Sequence, residues 1–208
     1  MFRRFAPLAL LWLAIAPALA QPAPAPAPAP APKPVTVRVS LQTSEGPIVL
    51  ELEKERAPIT TANFLRYVDQ KRLDGASFYR AAKVAEGYGL IQGGLRNDPK
   101  RLFPPIAHEP TTKTGLTHVD GAISMARAAP GTASGDFFIT IGAIPSMDAD
   151  PAQPGDNQGF AVFGRVVEGM DIVRRILDAP TSPTEGEGAM KGQILATPIK
   201  IVTARRAG

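Results

Sequence analysis

The chain carries two histidines, His108 and His118, and no cysteine. Without a thiol there is no Cys nucleophile, no zinc-thiolate site and no disulfide. The imidazoles stand ten residues apart in a loop-rich segment, with no further ligand at metal-binding spacing. Both are expected to be structural or solvent-facing. Ser134 lies between Gly131 and Gly135, whereas a nucleophile elbow needs a glycine two residues to either side of the serine. Gly87, Gly89, Gly93 and Gly94 lack the third glycine of a dinucleotide fingerprint and the lysine of a P-loop. They are expected to permit turns and close strand packing. Asp148 and Asp150 sit in a Pro/Gly-rich stretch and read as solvated loop carboxylates. This inventory excludes much covalent chemistry. It leaves room for an enzyme whose reaction is only a bond rotation, with no cofactor and no metal expected.

Residues 35–208, 174 in number, are the length of one domain. Val35, Val37, Val39 and Leu41 alternate with polar residues, and so do Ile48, Leu50 and Leu52 after Gly46 and Pro47, which predicts a first hairpin. Pro58 to about Gln70 reads as a helix, with Pro58 at its start, Thr60 or Thr61 as cap, and Phe64, Leu65 and Val68 on one face. Short apolar runs follow at Ser77–Ala82, Gly89–Gln92, Gly121–Ala126, Phe137–Ile141 and Phe160–Val166. Glu168 to about Leu177 predicts a second helix, acidic at its start and with Arg174 and Arg175 near its end, and Ile194–Val202 a closing strand. The stretches 96–117 and 146–159 are expected to be surface loops. About eight strands and two helices predict a mainly β fold: a closed eight-stranded antiparallel β-barrel capped by two α-helices.

The first twenty residues read differently. Arg3 and Arg4 precede an apolar run from Leu8 to Leu19 that ends in Ala18, Leu19 and Ala20, the three-part pattern of a secretory signal cleaved after Ala20. The run is short of the roughly 20 residues that span a bilayer, and Pro17 interrupts it. From Pro22 to Pro34 every second residue is proline, which excludes helix and sheet. Residues 21–34 are expected to be a semi-rigid polyproline II spacer, about 40 Å long at roughly 3.1 Å per residue. The expected organisation is signal (1–20), Pro/Ala-rich linker (21–34) and folded domain (35–208), with a monomer in the periplasm, or secreted, and no membrane attachment in the mature form. The chain has a net charge of +4, and without Arg3 and Arg4 it has 21 basic and 19 acidic residues. No Lys/Arg run exceeds two residues, so no nucleic-acid partner is expected.

Three segments, in order, resemble the cyclophilin family. The first is Phe78, Tyr79 and Arg80, followed by Leu90, Ile91, Gln92, Gly93 and Gly94. The second is Ser124 to Ala128, continuing through Pro130 and Thr132 to Phe137, Phe138 and Ile139. The third is Phe160 to Val166, leading into Glu168, Gly169 and Met170, and the helix with Pro58, Thr61, Asn63 and Phe64 agrees as well. The match spans nearly all of residues 37–203, with a longer loop between Met147 and Gly159. The resemblance implies a peptidyl-prolyl cis-trans isomerase domain that accelerates rotation of X-Pro bonds in extended, Pro-containing chains. It implies Arg80 as the catalytic residue and Gln92 as a ligand for a substrate carbonyl. Phe138, Leu90 and Met147 would line the proline pocket, and the strand edge at Ala126 and Arg127 would pair with substrate backbone. The chain departs from the family at Tyr79 (commonly His), Gly89 (Phe), Asp136 (a substrate-binding Gln), Ser146 (Trp) and Phe160 (His). Tyr79, Asp136 and Phe160 are still expected to contact substrate, and Phe160 or Tyr88 is expected to refill the wall that Gly89 leaves open. The alternative is a non-catalytic binding module or chaperone using the same groove.

Overall fold

The structure, a computed structural model, describes residues 35–207; the signal and spacer expected over residues 1–34 lie outside the described residues. Strands β1 (Thr36–Thr43) and β2 (Gly46–Glu53) form the predicted hairpin. Val39 pairs with Leu50 and Leu41 with Ile48, and all four side chains are fully buried. Val35, expected at the head of that face, precedes β1 and is half exposed.

Helix α1 (Pro58–Asp69) buries Phe64, Leu65 and Val68. The expected cap at Thr60 or Thr61 is not there: both lie inside the helix, and Thr61 Oγ1 donates to the Glu53 carbonyl (3.1 Å). Glu109, 50 residues away and buried, caps instead. Its carboxylate accepts the Ile59 and Thr60 amides (3.2 and 2.8 Å) and the Thr60 hydroxyl (2.7 Å). Two amides that a helix leaves without intrahelical partners are satisfied this way, and the negative charge also meets the positive end of the helix dipole.

The remaining elements are β3 (Ser77–Ala85), β4 (Tyr88–Gly94), α2 (Thr111–Thr114), β5 (Ala122–Met125), β6 (Phe137–Ile141), β7 (Ala161–Glu168), α3 (Met170–Leu177), β8 (Thr181–Ser182) and β9 (Ile194–Ala207). Three differ from expectation. The 96–117 stretch contains the one-turn α2. The two-residue β8 adds a ninth strand at the edge of β9. Helix α3 starts two residues late, because Glu168 still pairs with Val49 and Gly169 makes the turn at φ 88°.

Every pairing among the described strands is antiparallel. The order runs β1, β2, β7, β5, β6, β4, β3, β9, and β9 returns to β1 to close an eight-stranded barrel. Strand β9 manages this by serving two partners, β3 through Ile194–Lys200 and β1 through Ile201–Ala207. Closure leaves no edge among the eight. Phe78, Phe137, Phe163, Ile91 and Ile123 fill the interior, and Phe64 of α1 packs on Phe137 and Phe163.

Candidate active-site groove

One row of side chains runs across the outside of the barrel. Arg80 of β3 stands opposite Gln92 of β4, Gln92 opposite Phe138 of β6, and Phe138 opposite Ser124 of β5. Ile194 of β9 stands on the other side of Arg80. In a regular strand Arg80 would share a face with Phe78, which is fully buried in the barrel. The register shifts between Phe78 and Arg80 against both neighbouring strands, and this bulge turns Arg80 out into the row.

Beside the row lies an apolar cluster separate from the barrel core. Ala82, Leu90 and Phe138 are buried there, with Ala126, Met147 and Phe160 packed against them. An apolar pocket next to a few converging polar groups is the usual form of a ligand site. The groove encloses about 850 Å³ and brings together all ten residues singled out from sequence: Tyr79, Arg80, Leu90, Gln92, Ala126, Arg127, Asp136, Phe138, Met147 and Phe160.

Its polar wall is a continuous hydrogen-bond chain. Arg80 Nη1 donates to Gln92 Oε1 (2.8 Å), Gln92 Nε2 donates to the Tyr79 hydroxyl (2.7 Å), and Tyr79 donates to Asp136 Oδ2 (3.3 Å). At its other edge Arg80 donates Nε and Nη2 to Gln193 Oε1 (2.9 and 2.6 Å). Three of the five guanidinium donors are thus engaged within the protein, which leaves two for a ligand. Burial lowers the Arg80 pKa from its ordinary value, yet a guanidinium stays charged at neutral pH. Burial, then the neighbouring Asp136 carboxylate, raises the Tyr79 pKa, so its hydroxyl keeps its proton. Burial also raises the Asp136 pKa, against the backbone amides of Arg96 and Leu95. Asp136 Oδ1 accepts both of those amides (2.6 Å from Leu95 and 3.0 Å from Arg96), so its carboxylate anchors the exit of β4 as well as Tyr79.

The apolar wall accounts for the missing aromatic. Gly89 has φ 154°, and a Cβ there would stand 2.2 Å from the Ala82 carbonyl oxygen. No side chain fits on this backbone. Phe160 supplies the ring instead, packed edge-on against Phe138 at 5.3 Å between centroids. Tyr88 turns elsewhere, onto Gly142. Arg127 holds Phe160: its guanidinium lies 5.1 Å over the ring, donates to the Gly159 carbonyl and pairs with Asp156. The Arg127 side chain therefore contributes to the wall, beyond the backbone pairing expected of its strand edge.

His118 braces the pocket from behind. Its ring is buried and stacks on Phe138 (5.7 Å, 8° between planes). Burial lowers its pKa, opposed by Asp148. A neutral ring donates Nδ1–H to Asp148 Oδ1 (2.6 Å) and accepts the Ser124 hydroxyl at Nε2 (3.1 Å). Asp148, expected as a solvated loop carboxylate, is therefore tied to the barrel directly after Met147 of the pocket wall. Sequence reasoning also missed Gln193 and the segment from Glu185 to Met190 that lines the outer side of the groove. Gln193 lies 113 residues from Arg80, and no local pattern links the two.

The family model described as "Cyclophilin type peptidyl-prolyl cis-trans isomerase/CLD" matches residues 38–205. A peptidyl-prolyl cis-trans isomerase of Acinetobacter baylyi is 32% identical over 168 residues, covering 79% of this chain and 82% of that protein. The isomerase cyp18 of Streptomyces antibioticus is 36% identical over 149 residues, covering 70% and 86%. A cyclophilin-type isomerase structure from Cryptosporidium parvum, determined in the presence of the dipeptide Ala-Pro, superposes with TM-score 0.64 at 21% identity, covering 82% of this chain and 99% of that one.

Proposed function

We infer the mechanism from one premise: the chain belongs to the cyclophilin-type peptidyl-prolyl cis-trans isomerase family, and it is an isomerase of X-Pro peptide bonds. Rotation about such a bond faces a barrier of roughly 18–20 kcal/mol, set by amide resonance. Twisting the bond returns the lone pair to the prolyl nitrogen, which can then accept a hydrogen bond. We propose that Arg80 donates that bond. The proline ring would sit among Phe138, Leu90, Met147 and Phe160, and Gln92 would hold a substrate carbonyl. A guanidinium fixed beside the nitrogen favours the twisted state over either planar state, because only the twisted nitrogen is a good acceptor. This is electrostatic transition-state stabilisation with no covalent step. The observation that carries the reading is that Arg80 retains two unengaged N–H donors beside an apolar, aromatic-lined pocket.

The pocket is tested with an Ala-Pro tetrapeptide, a dipeptide unit present with the Cryptosporidium neighbour. Phe138→Ala is expected to weaken peptide binding by about thirtyfold, since truncating an aromatic anchor of a binding pocket costs about 2 kcal/mol or more. The Ala-Ala analogue is expected not to compete. Equal binding of the two peptides would contradict a proline pocket.

Export is proposed on sequence alone, from Arg3 and Arg4, the Leu8–Leu19 run and the Ala18–Ala20 exit. The substrates proposed are extended, Pro-containing segments of proteins folding outside the cytoplasm. N-terminal sequencing of the chain recovered from the periplasm should begin at Gln21; a product that keeps Met1 would contradict cleavage.

A further inference from the structure

We propose that Gln193 is a positioning residue for the isomerase reaction: its side-chain oxygen orients the Arg80 guanidinium toward the prolyl nitrogen. The inference rests on the Arg80 reading above. A free arginine side chain samples many rotamers and gives up that freedom when it is fixed. In this chain the fixing is done before substrate arrives. Nε and Nη2 of Arg80 converge on the one oxygen of Gln193, while Nη1 is tied to Gln92. Restraints at both edges of a planar group set its plane as well as its position.

The backbone shows why Gln193 can act as a fixed point. Its carbonyl accepts the Ala81 amide (2.9 Å), next in sequence to Arg80, and its own amide donates to the Met190 carbonyl (3.0 Å). Ile194, the following residue, pairs with Arg80 across β9 and β3. Gln193 is thus pinned to the same bulge that turns Arg80 outward. It also ends the segment that lines the outer groove, where Gly192 donates to the Glu185 carbonyl (2.9 Å).

The chemistry of the acceptor matters as much as its place. A carboxylate at this position would orient the guanidinium and also cancel much of its charge. An amide oxygen orients it and leaves the full positive charge for the developing lone pair. Gln193 touches Arg80 rather than substrate, so its loss should appear in turnover and not in affinity.

The experiment compares the full chain with Gln193→Met, Gln193→Glu and Arg80→Ala on an Ala-Pro peptide. Methionine keeps the volume and removes the acceptor. The expected result for Gln193→Met is a fall in kcat on the order of tenfold, KM within about twofold, and faster solvent exchange of the Arg80 Nε–H in NMR. Gln193→Glu should restore the slow exchange while kcat stays below wild type, since orientation returns and charge is partly cancelled. An unchanged kcat for Gln193→Met, with Arg80→Ala inactive, overturns this inference alone. A raised KM with unchanged kcat would make Gln193 a substrate ligand and also overturns it. Full activity in Arg80→Ala would instead remove the Arg80 reading on which it rests. If Gln193→Met does not fold, the wild-type Nε–H decides: exchange as fast as that of a solvent-exposed arginine overturns the proposal.

Discussion

Arg80 differs from a surface arginine in how its donors are disposed. Two neutral amides hold it, so its orientation is fixed while its charge is not neutralised. The motif around residues 78–80 was legible in the sequence; the hold on Arg80 from Gln193 was not. His118 is the structural histidine expected, but its partners were no more legible. Its partners Ser124 and Asp148 both follow it in sequence, at separations of 6 and 30 residues, and no motif joins them. The burial that lowers its pKa has a measurable consequence. An unfolded histidine takes up a proton near pH 6.5, while the folded ring does so only at lower pH. As pH falls below about 6.5 the unfolded state therefore binds more protons, and stability falls until the folded ring titrates. His118→Gln should lower the unfolding free energy from urea titration at pH 7.5 by about 1–3 kcal/mol for the lost buried hydrogen bonds. It should also flatten the decline that wild type suffers between pH 7 and 5.5. The same slope in both proteins would contradict the assignment of a neutral buried ring.

At the scale of elements, alternation and turn residues foretold the strands well, because each strand buries one face against a single core. What they could not foretell were interruptions of the alternation. The bulge that turns Arg80 out has no sequence mark of its own, and neither does the shift between Lys83 and Ala85 that accompanies Gly89. The first lies where β3 meets β4 and β9 at once, the second beyond the reach of β9, next to the turn into β4. Helix α1 makes the same point, since its cap comes from Glu109 across the fold rather than from the nearby threonines. The Gly89 backbone yields a prediction against a plausible repair. Restoring the family's aromatic with Gly89→Phe should fail, because the backbone angle there is open almost only to glycine and a Cβ would strike the Ala82 carbonyl. The expected cost is roughly 2 kcal/mol or more, seen as a lower Tm, with no gain in kcat/KM. A variant of unchanged Tm and higher kcat/KM would show that the hairpin repacks freely.

At the scale of the whole molecule, barrel closure is what makes the groove. The single strand β9 pairs with β1 at one end and with β3 at the other, so the strand that seals the barrel also flanks the Arg80 bulge. The barrel and the groove residues could be read from ordered motifs, because all of those residues but Met147 sit in, or within two residues of, the strands that carry the motifs. The outer segment from Glu185 to Met190 and the Gln193 hold could not, because they depend on where β9 returns in space. With Phe160 standing in for the lost aromatic and Asp136 occupied by backbone amides, the proposed mechanism rests on Arg80 beside a rebuilt pocket. The most direct measurement is the cis/trans exchange rate of an Ala-Pro peptide bound to the protein, read by NMR exchange spectroscopy at saturating peptide. Wild type should exchange the bound peptide many orders faster than free peptide. Arg80→Ala should still bind it and lose about 10²-fold or more in rate, the effect of removing one preorganised donor. Bound-state exchange in Arg80→Ala equal to wild type would contradict the account.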